Sequence, residues 1–457
     1  MPAVTLALAG IQHEALLDHL FPSDGLEAAA IMLCARGVGD RKRLVVREII
    51  AVPHERCAVR EPDFITWPGD FIEQAIDRGE KDGLTIILVH SHPRGTLAFS
   101  ARDDESDSST MPCLFQAYGC VHGSAVMVPG GAMRARLYGG DLTCRTVDLV
   151  TVAGHEILHR WAHDAGGRPA AFTSAMTDEL GRLTAVVIGV SGTGSITAEE
   201  AARMGFGRVI LIDFDKVERK NLNRILNSTI ADAEDNLLKV IGTARAITLY
   251  RGPGVAVPVP TSIDVREAII AAAQGDVIFS CVDTQLARQV ADQIASAFLI
   301  PLMDVGVTIP AQVSDDAGTT IIDAVGRIDY VQPGRSTLLT RGVHSPAGVR
   351  AEYLAEVDPE QHRLELEAGY FDGAPEEAPS VISLNMRAAA TAMNEYILRA
   401  YPFRLDSNSS YARTRFSLAA GEEEHFAEET FDAGSNALLG RGGKEPLLGV
   451  PGFGPAL

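Results

Sequence analysis

The stretch from Leu183 to Asp215 admits few folds. Leu183-Thr-Ala-Val-Val-Ile-Gly189 is a short apolar run, the composition of a strand buried on both faces. It leads into Gly189-Val-Ser-Gly192-Thr-Gly194-Ser195, then a helix-forming segment from Ile196 to Met204. A second apolar run, Arg208 to Ile212, ends at Asp213-Phe-Asp215. This is a βαβ unit of about thirty residues with a glycine turn opening its helix. It commits the region to a doubly wound α/β sheet. Gly189, Gly192 and Gly194 let the backbone approach a phosphate, whose charge then sits at the helix N-terminus beside Ser195. The acid ending the second strand is placed for ribose hydroxyls. On these residues alone, an NAD-binding domain is the default.

The next segment, Asp213-Phe-Asp215-Lys-Val217-Glu-Arg-Lys-Asn221-Leu-Asn223-Arg224, changes that reading. It resembles the signature of the ubiquitin-activating-enzyme superfamily, the ThiF/MoeB-like adenylyltransferases. The correspondence continues in order over roughly residues 183 to 310. The resemblance implies ATP and Mg2+ in place of a dinucleotide. It implies Asp213 on the adenosine ribose, Asn221 and Arg224 on the triphosphate, and Lys239 as the phosphate-binding lysine. In Val277-Ile-Phe-Ser-Cys281-Val-Asp283, an apolar strand delivers Asp283, the implied Mg2+ ligand, with Arg288 after it. The glycine loop with Ser195 would cradle the phosphates. Arg and Lys draw charge off a leaving pyrophosphate, and an Asp-bound Mg2+ bridges phosphate oxygens. The attacking group would be the C-terminal carboxylate of a protein or peptide. Two positions depart from the pattern: Ser191 and Asn236 stand where the family has Gly, which makes the φ of Ser191 a question.

A second signal lies upstream, in His90-Ser-His92-Pro93 followed after six residues by Ser100-Ala-Arg-Asp103. The two histidines end an apolar run, Leu84-Thr-Ile-Ile-Leu-Val89, where residues two apart on a strand face one spot. Pro93 stops the strand and turns the chain. Two His and one Asp supply three ligands for Zn2+ and leave the fourth position for water, the pattern of a catalytic site. Ser100-x-x-Asp103 also reads as a helix capping box, which explains neither histidine.

These residues resemble the JAMM (MPN+/JAB) metalloproteases, whose pattern is an upstream Glu followed by HxHPx6SxxD. The resemblance implies a JAMM domain of cytidine-deaminase-like α/β fold, with zinc on His90, His92 and Asp103. Glu27, in the apolar run Gly25-Leu-Glu27-Ala-Ala-Ala-Ile-Met-Leu33, would be the general base, and Ser100 would help hold the oxyanion. JAMM enzymes cleave isopeptide or peptide bonds at the C-terminus of ubiquitin-like proteins.

Length and charge narrow the remaining options. The 457 residues, 46% of them apolar, suffice for two or three cored domains. A net charge of −20 argues against sequence-independent binding to nucleic acid and against anionic membranes. No signal peptide or eighteen-residue apolar span is evident. The six cysteines, at 34, 57, 113, 120, 144 and 281, are scattered, as suits a reducing cytoplasm. None follows Cys281, so a thioester in the usual crossover loop is excluded.

Other segments carry less chemistry. His155-Glu-Ile-Leu-His159 satisfies HExxH, but the Val/Thr-rich stretch before it favours a hairpin over the helix a zincin site requires. Gly166-Gly-Arg-Pro169 reads as a linker, and Arg168 stands where relatives carry an Arg that reaches the partner subunit's ATP. Many bacterial relatives bind a structural zinc through two CxxC pairs. Here Thr337-Leu-Leu-Thr340 and Ala433-Gly-Ser-Asn436 stand in their places, which suggests a lost zinc site. Residues 381 to 399 read as one helix packing on the sheet, and Gly434 onward as loop or tail.

The expectation is a fusion of two α/β domains. The JAMM domain takes residues 1–145, a linker 146–180, the Rossmann-like ThiF-type domain 181–400 and a C-terminal extension 401–457. Both chemistries would act on a ubiquitin-like protein, with a conjugating enzyme as a further partner and a homodimer formed through the adenylyltransferase domain. The alternatives are adenylation of a sulfur-carrier protein or a peptide natural product, or one domain serving as a non-catalytic scaffold.

Overall fold

The computed structural model describes residues 4–163, 167–314, 318–367 and 381–455. They form two compact units. The first holds the described residues through Gly167 together with 296–299 and 436–455; the second holds 168–295 and the described residues of 300–435.

In the first unit, β1 (Val4–Ala9) leads to α1 (Gly10–Leu20), β2 (Ala29–Arg36), β3 (Lys42–Ala51), β4 (Val59–Glu61), β5 (Phe64–Thr66) and α2 (Asp70–Glu80). Then follow β6 (Thr85–Ser91), α3 (Ala101–Ala117), β7 (His122–Met127), β8 (Met133–Tyr138), β9 (Cys144–Thr146), β10 (Leu149–Ala153) and β11 (Ile157–Trp161). Nine strands make one mixed sheet in the order β11-β10-β1-β3-β2-β6-β7-β8-β9, and β4 and β5 pair as a separate hairpin. Consecutive strands β9 and β10 stand near opposite ends of that order, so the sheet curls back on itself. Val147 N donates to Ala135 O on β8 at 3.0 Å, and Asp148 N donates to Val4 O on β1 at 3.1 Å, which closes the curl. Leu6, Leu8, Ile31, Leu33 and Ile86 are fully buried in its core, with Leu16 and Leu20 of α1 packed among them.

The expected linker at 146–180 is corrected. Leu149 to Ala153 pairs in parallel with β1 from Leu149 opposite Thr5 to Ala153 opposite Ala9, so β10 and β11 are strands of the first unit. Alternating Val and Thr made a hairpin legible there, and its pairing with β1 is long-range. His155 sits in the turn and His159 on β11, so the HExxH residues lie on no helix. Gly166, the first residue of the Gly166-Gly-Arg-Pro169 segment, lies outside the described residues.

The second unit begins with α4 (Ser174–Leu180), β12 (Thr184–Ile188), α5 (Gly192–Met204), β13 (Arg208–Ile212), α6 (Ile230–Glu234), α7 (Lys239–Arg251), β14 (Ala256–Val259) and α8 (Arg266–Ala272). It continues with β15 (Val277–Ser280), α9 (Gln285–Phe298), β16 (Leu302–Thr308), the hairpin β17 (Ala311–Ser314) and β18 (Gly318–Ile321), and β19 (Val325–Val331). Last come α10 (Pro346–Val357), α11 (Pro359–Glu367), α12 (Ile382–Ala400), β20 (Arg413–Ser417) and β21 (Glu422–Phe426). The sheet order is β14-β13-β12-β15-β16-β19-β20-β21. The first five strands run parallel, and β19, β20 and β21 add antiparallel. The winding reverses between β12 and β15, the place where a doubly wound sheet opens a crevice at its carboxyl edge. α12 packs on this sheet as its pattern predicts, burying Ala388, Ala389, Ala392, Tyr396 and Ile397.

The expected extension at 401–457 is also corrected, because it divides between the units. β20 and β21 lengthen the second sheet, while residues from 436 pack on the first unit. There Gly443 N donates to Arg36 O at 2.7 Å, and Lys444 Nζ lies 2.6 Å from Asp82 Oδ1.

Within the second unit, Gly434 lies against the turn Thr337-Leu-Leu-Thr340. Gly434 N donates to Arg335 O at 3.0 Å, and a Cβ on Gly434 would overlap Thr337 Cγ2. Thr337 N donates to Thr340 Oγ1 at 3.0 Å, and Thr340 N donates to Thr337 Oγ1 at 3.2 Å. Hydroxyl hydrogen bonds thus tie this turn. Beside it, the fully buried Arg341 guanidinium joins Asp329 at 3.1 Å and Glu428 at 3.0 Å. Among the described residues, no helix is long and apolar enough to cross a membrane.

Candidate active sites

β6 carries His90 to its carboxyl end, and Pro93 breaks the run immediately after His92. The main chain at His92 stays in register, its N donating to Met127 O at 2.8 Å. His90 Nε2 and His92 Nε2 lie 3.0 Å apart. Asp103 Oδ1 is 3.0 Å from His90 Nε2, and its Oδ2 is 3.6 Å from His92 Nε2. Among the described residues this is the one group of three or more His, Cys, Asp or Glu side chains with ligand atoms all within 4.8 Å of one another.

Asp103 serves two purposes at once. Ser100 caps α3, accepting from Asp103 N at 3.2 Å, while Asp103 Oδ2 accepts from Ser100 N at 2.5 Å. The capping box therefore forms, and it aims the remaining lone pairs of Asp103 at the histidines. Ser100 is exposed; by accepting from Asp103 N its hydroxyl positions Asp103, and its O–H remains a donor.

The donor set suits a borderline cation. The 2.8 Å approach of His92 Nδ1 to Thr96 O makes Nδ1 the donor and leaves the Nε2 lone pair facing inward. The Asp103 hydrogen bond draws the His92 pKa upward, and contact with both imidazoles holds the Asp103 carboxyl far below the usual carboxylate range despite its burial. Two imidazole nitrogens and a carboxylate converging in this way match a three-ligand zinc site.

Glu27 lies two residues before Ala29, and Ala29 is the register partner of His90 on β2. Extended chain therefore puts Glu27 on the face that bears His90. Glu27 N donates to Glu61 O at 2.9 Å, and Glu27 O accepts from Arg60 Nε at 2.8 Å, so the β4–β5 hairpin clamps its main chain. Ser91 Oγ accepts from Ala28 N at 2.9 Å, joining that segment to β6. The Glu27 side chain is 5% exposed and shares a cavity of about 130 Å3 with His90, Asp103, Phe64 and Trp67. Burial raises its pKa, opposed by the two histidines.

In the second unit, the crevice between β12 and β15 holds a cavity of about 440 Å3. Gly189, Gly192, Asp213, Asn221, Arg224, Lys239 and Asp283 all line it. The positive φ of the loop, +80°, falls on Gly189, where a Cβ would stand 2.8 Å from Cys281 O. Ser191 has φ −99°, so serine is accommodated there without left-handed backbone. Gly194 and Ser195 are not on the cavity wall. A Cβ on Gly194 would overlap Gly189 O, and Ser195 is 1% exposed, its Oγ accepting from Leu226 N at 3.0 Å. These two residues close the loop on itself; the cavity faces its other side.

The charged residues of the cleft are already ordered. Asp213 Oδ2 accepts from Val190 N at 2.7 Å and Oδ1 from Asp215 N at 2.8 Å, and carboxylate lone pairs remain after both bonds. Burial raises the Asp213 pKa, with Lys239 acting the other way. Lys239, 6% exposed, donates from Nζ to Asp215 Oδ2 at 2.7 Å. Asn221 is 4% exposed and its Oδ1 accepts from Glu218 N at 3.2 Å. Arg224 Nη1 donates to Lys220 O at 3.2 Å, and Arg288 Nη2 donates to Val282 O at 2.8 Å. Asp283 is exposed at the loop after β15. Cys281 lies against Thr197, and burial pushes its thiol up to about 12.

Sequence reasoning missed Asn385, which reaches this cavity from α12 and lies against Gly192 and Thr193 Oγ1. The available signal is an amide among the small apolar residues that open the buried face of α12. Asp215, read only as part of the motif, proves to be the anchor of Lys239.

Comparison with known proteins divides the chain at the same place. Residues 12–138 match the family model for prokaryotic homologs of the JAB domain, and residues 167–319 match the ThiF family. The chain thus joins a JAB-type domain to a ThiF-type domain. It is 29% identical over 171 residues to ubiquitin-like modifier-activating enzyme 5 of Caenorhabditis briggsae, covering 35% of this chain and 36% of that protein. Its identity to the protein of the same name from Drosophila persimilis is 29% over 164 residues, covering 33% and 38%. The chain therefore spans little more than a third of the length of these curated relatives. Among solved structures, E. coli MccB with succinimide superposes with a TM-score of 0.41 at 15% identity, covering 58% of this chain and 68% of that one.

Proposed function

We propose that this chain adenylates the C-terminal carboxylate of a small ubiquitin-like or sulfur-carrier protein, and that its N-terminal unit hydrolyses a peptide or isopeptide bond at such a terminus. The observation that supports the first reaction most is the meeting of Gly189, Asp213, Asn221, Arg224, Lys239 and Asp283 on one cavity. The backbone of the glycine loop and the N-terminus of α5 receive phosphate oxygens. Asp213 takes the ribose hydroxyls. Arg224, Lys239 and Asn221 hold the triphosphate and stabilise the pyrophosphate as it leaves. The carrier's carboxylate oxygen forms a bond to the α-phosphorus while the α–β phosphoanhydride breaks, giving an acyl-adenylate and pyrophosphate. Asp283 would hold Mg2+, which supplies further charge neutralisation when bound.

In the N-terminal unit, His90, His92 and Asp103 would hold Zn2+, which supplies Lewis acidity beside a coordination position left open by three ligands. Glu27, buried and raised in pKa, takes a proton from the water that attacks the carbonyl and returns it to the leaving amine. Phe64 and Trp67 give that cavity an apolar wall beside Glu27. Activation ends at the acyl-adenylate on this chain, because the sequence has no cysteine beyond Cys281 and the half-buried Cys281 has its thiol pushed up to about 12. The protein works in the cytoplasm as a homodimer through its ThiF-type domain.

ATP–pyrophosphate exchange tests this reading. Exchange should require the carrier protein and Mg2+, and should fall at least a hundredfold, on the scale of losing one charge-stabilising group, in Asp283→Ala and in Arg224→Ala. Tight NAD binding with no exchange would return the domain to the dehydrogenase reading.

A further inference from the structure

At the other end of the first unit's sheet lies a cavity of about 610 Å3. Thr85, the first residue of β6, lines it; His90 stands five residues further along, about 16 Å at strand rise. The cavity is therefore separate from the candidate metal site, and its size falls among small-molecule sites.

Its walls carry five basic side chains, Arg36, Arg41, Lys42, Arg43 and Arg145, against one carboxylate, Asp141. Basic side chains thus outnumber carboxylates five to one on its lining, in a chain whose net charge is −20. Asp141 Oδ1 already accepts from Thr143 N at 3.1 Å within its own turn. Arg43 is 3% exposed, so its charge belongs to the wall rather than to solvent. Arg41 Nη2 donates to Thr5 Oγ1 at 2.8 Å, which fixes it at the rim.

These cations do not arise from one surface run. Arg36 ends β2, residues 41–43 open β3, and Arg145 comes from β9, which only the curl of the sheet brings to the same opening. Arg36 Nη2 donates to Cys120 Sγ at 2.7 Å, which orders it at the opening, and cations brought together in this way attract an anion. Beneath them lie Val4, Leu44, Val121 and Leu137, with the ring of Tyr138 at the side.

We propose that this cavity binds a small phosphorylated molecule. Its phosphate groups lie among the arginines and its uncharged body lies over Leu44, Val121 and Leu137. Four of the five cations are arginines, whose planar forks match phosphate oxygens two at a time. The volume suits a nucleotide-sized ligand and is far too small for a folded partner.

Acylation of lysines in the full chain, read by mass spectrometry with inorganic tripolyphosphate as the probe, tests the proposal. Tripolyphosphate should protect the exposed Lys42 from acylation. The double variant Arg36→Glu, Arg145→Glu changes two exposed residues. It should weaken that protection roughly tenfold or more, the loss expected for a charge-assisted hydrogen bond. Lys239 reports the second unit's cleft separately and should respond alike in both proteins. Lys42 labelling that tripolyphosphate leaves unchanged in the wild-type chain would overturn the proposal, and that measurement stands whether or not the variant folds. Protection by a hexaglutamate peptide and not by tripolyphosphate would overturn it as well, identifying an acidic protein segment as the occupant.

Discussion

The carbonyl oxygen of Gly189 occupies the space that a Cβ on Gly194 would need. The phosphate loop is therefore closed by contact between two of its own glycines. Gly194→Ala should displace the start of α5, cost about 1–3 kcal/mol in urea unfolding and abolish ATP–pyrophosphate exchange. An unchanged unfolding midpoint with normal exchange would mean that the loop relaxes freely.

The N-terminal site separates a ligand from a base. His92→Ala should lose zinc from the purified chain by metal analysis, since one of three ligands is removed. Glu27→Gln should keep zinc and lose cleavage of a cognate precursor by roughly 10²–10⁴-fold, the range for a general base. Zinc retained in His92→Ala would place the metal elsewhere. Wild-type cleavage by Glu27→Gln would remove Glu27 from the mechanism.

Incubation with ATP and carrier protein should leave no DTT-sensitive adduct on this chain in non-reducing electrophoresis. A thiol pushed up to about 12 is almost wholly protonated at neutral pH, and hydroxyls such as those of Thr337 and Thr340 are poorer nucleophiles than a thiolate. An adduct that disappears in Cys281→Ser would show that the nucleotide cleft opens enough to ionise Cys281.

On α5, the Glu200 Oε2 is buried without a hydrogen-bond partner among the described residues. Burial raises its carboxyl from the ordinary 4.5 to about 7. A raised folded-state pKa gives stability that is fully present below pH 4.5 and lost as pH rises through about 7. Glu200→Gln should therefore be more stable than the parent at pH 8 by about 1–2 kcal/mol, the full effect reduced for partial solvent access. The difference should shrink toward pH 5 in denaturant titrations. A constant gap at both pH values would assign the effect to packing.

What could be read from the sequence was local. His90, His92 and Asp103 lie within fourteen residues, and strand parity with a helix cap suffices to bring them together. The glycine loop and Asp213 belong to a single βαβ unit, and their meeting follows from it. Glu27 was reachable because a lone carboxylate interrupts an apolar run. The cap by which Ser100 orients Asp103 follows from the spacing Ser100-x-x-Asp103. Asn385 was out of reach because it approaches Gly192 from a helix nearly two hundred residues later. The Arg145 side of the cationic cavity depends on the curl of nine strands, which no local periodicity encodes.

The packing of residues 436–455 on the first unit gives the chain an order of assembly. The strands through Trp161 are made early, yet the residue that supplies the Gly443–Arg36 hydrogen bond follows about 280 residues later. At ordinary translation speeds that is a delay on the order of tens of seconds. During that interval the newborn first unit lacks its last packing layer, while the second unit is still being made. The flank at Arg36 and Asp82 stays uncovered until that segment has been made.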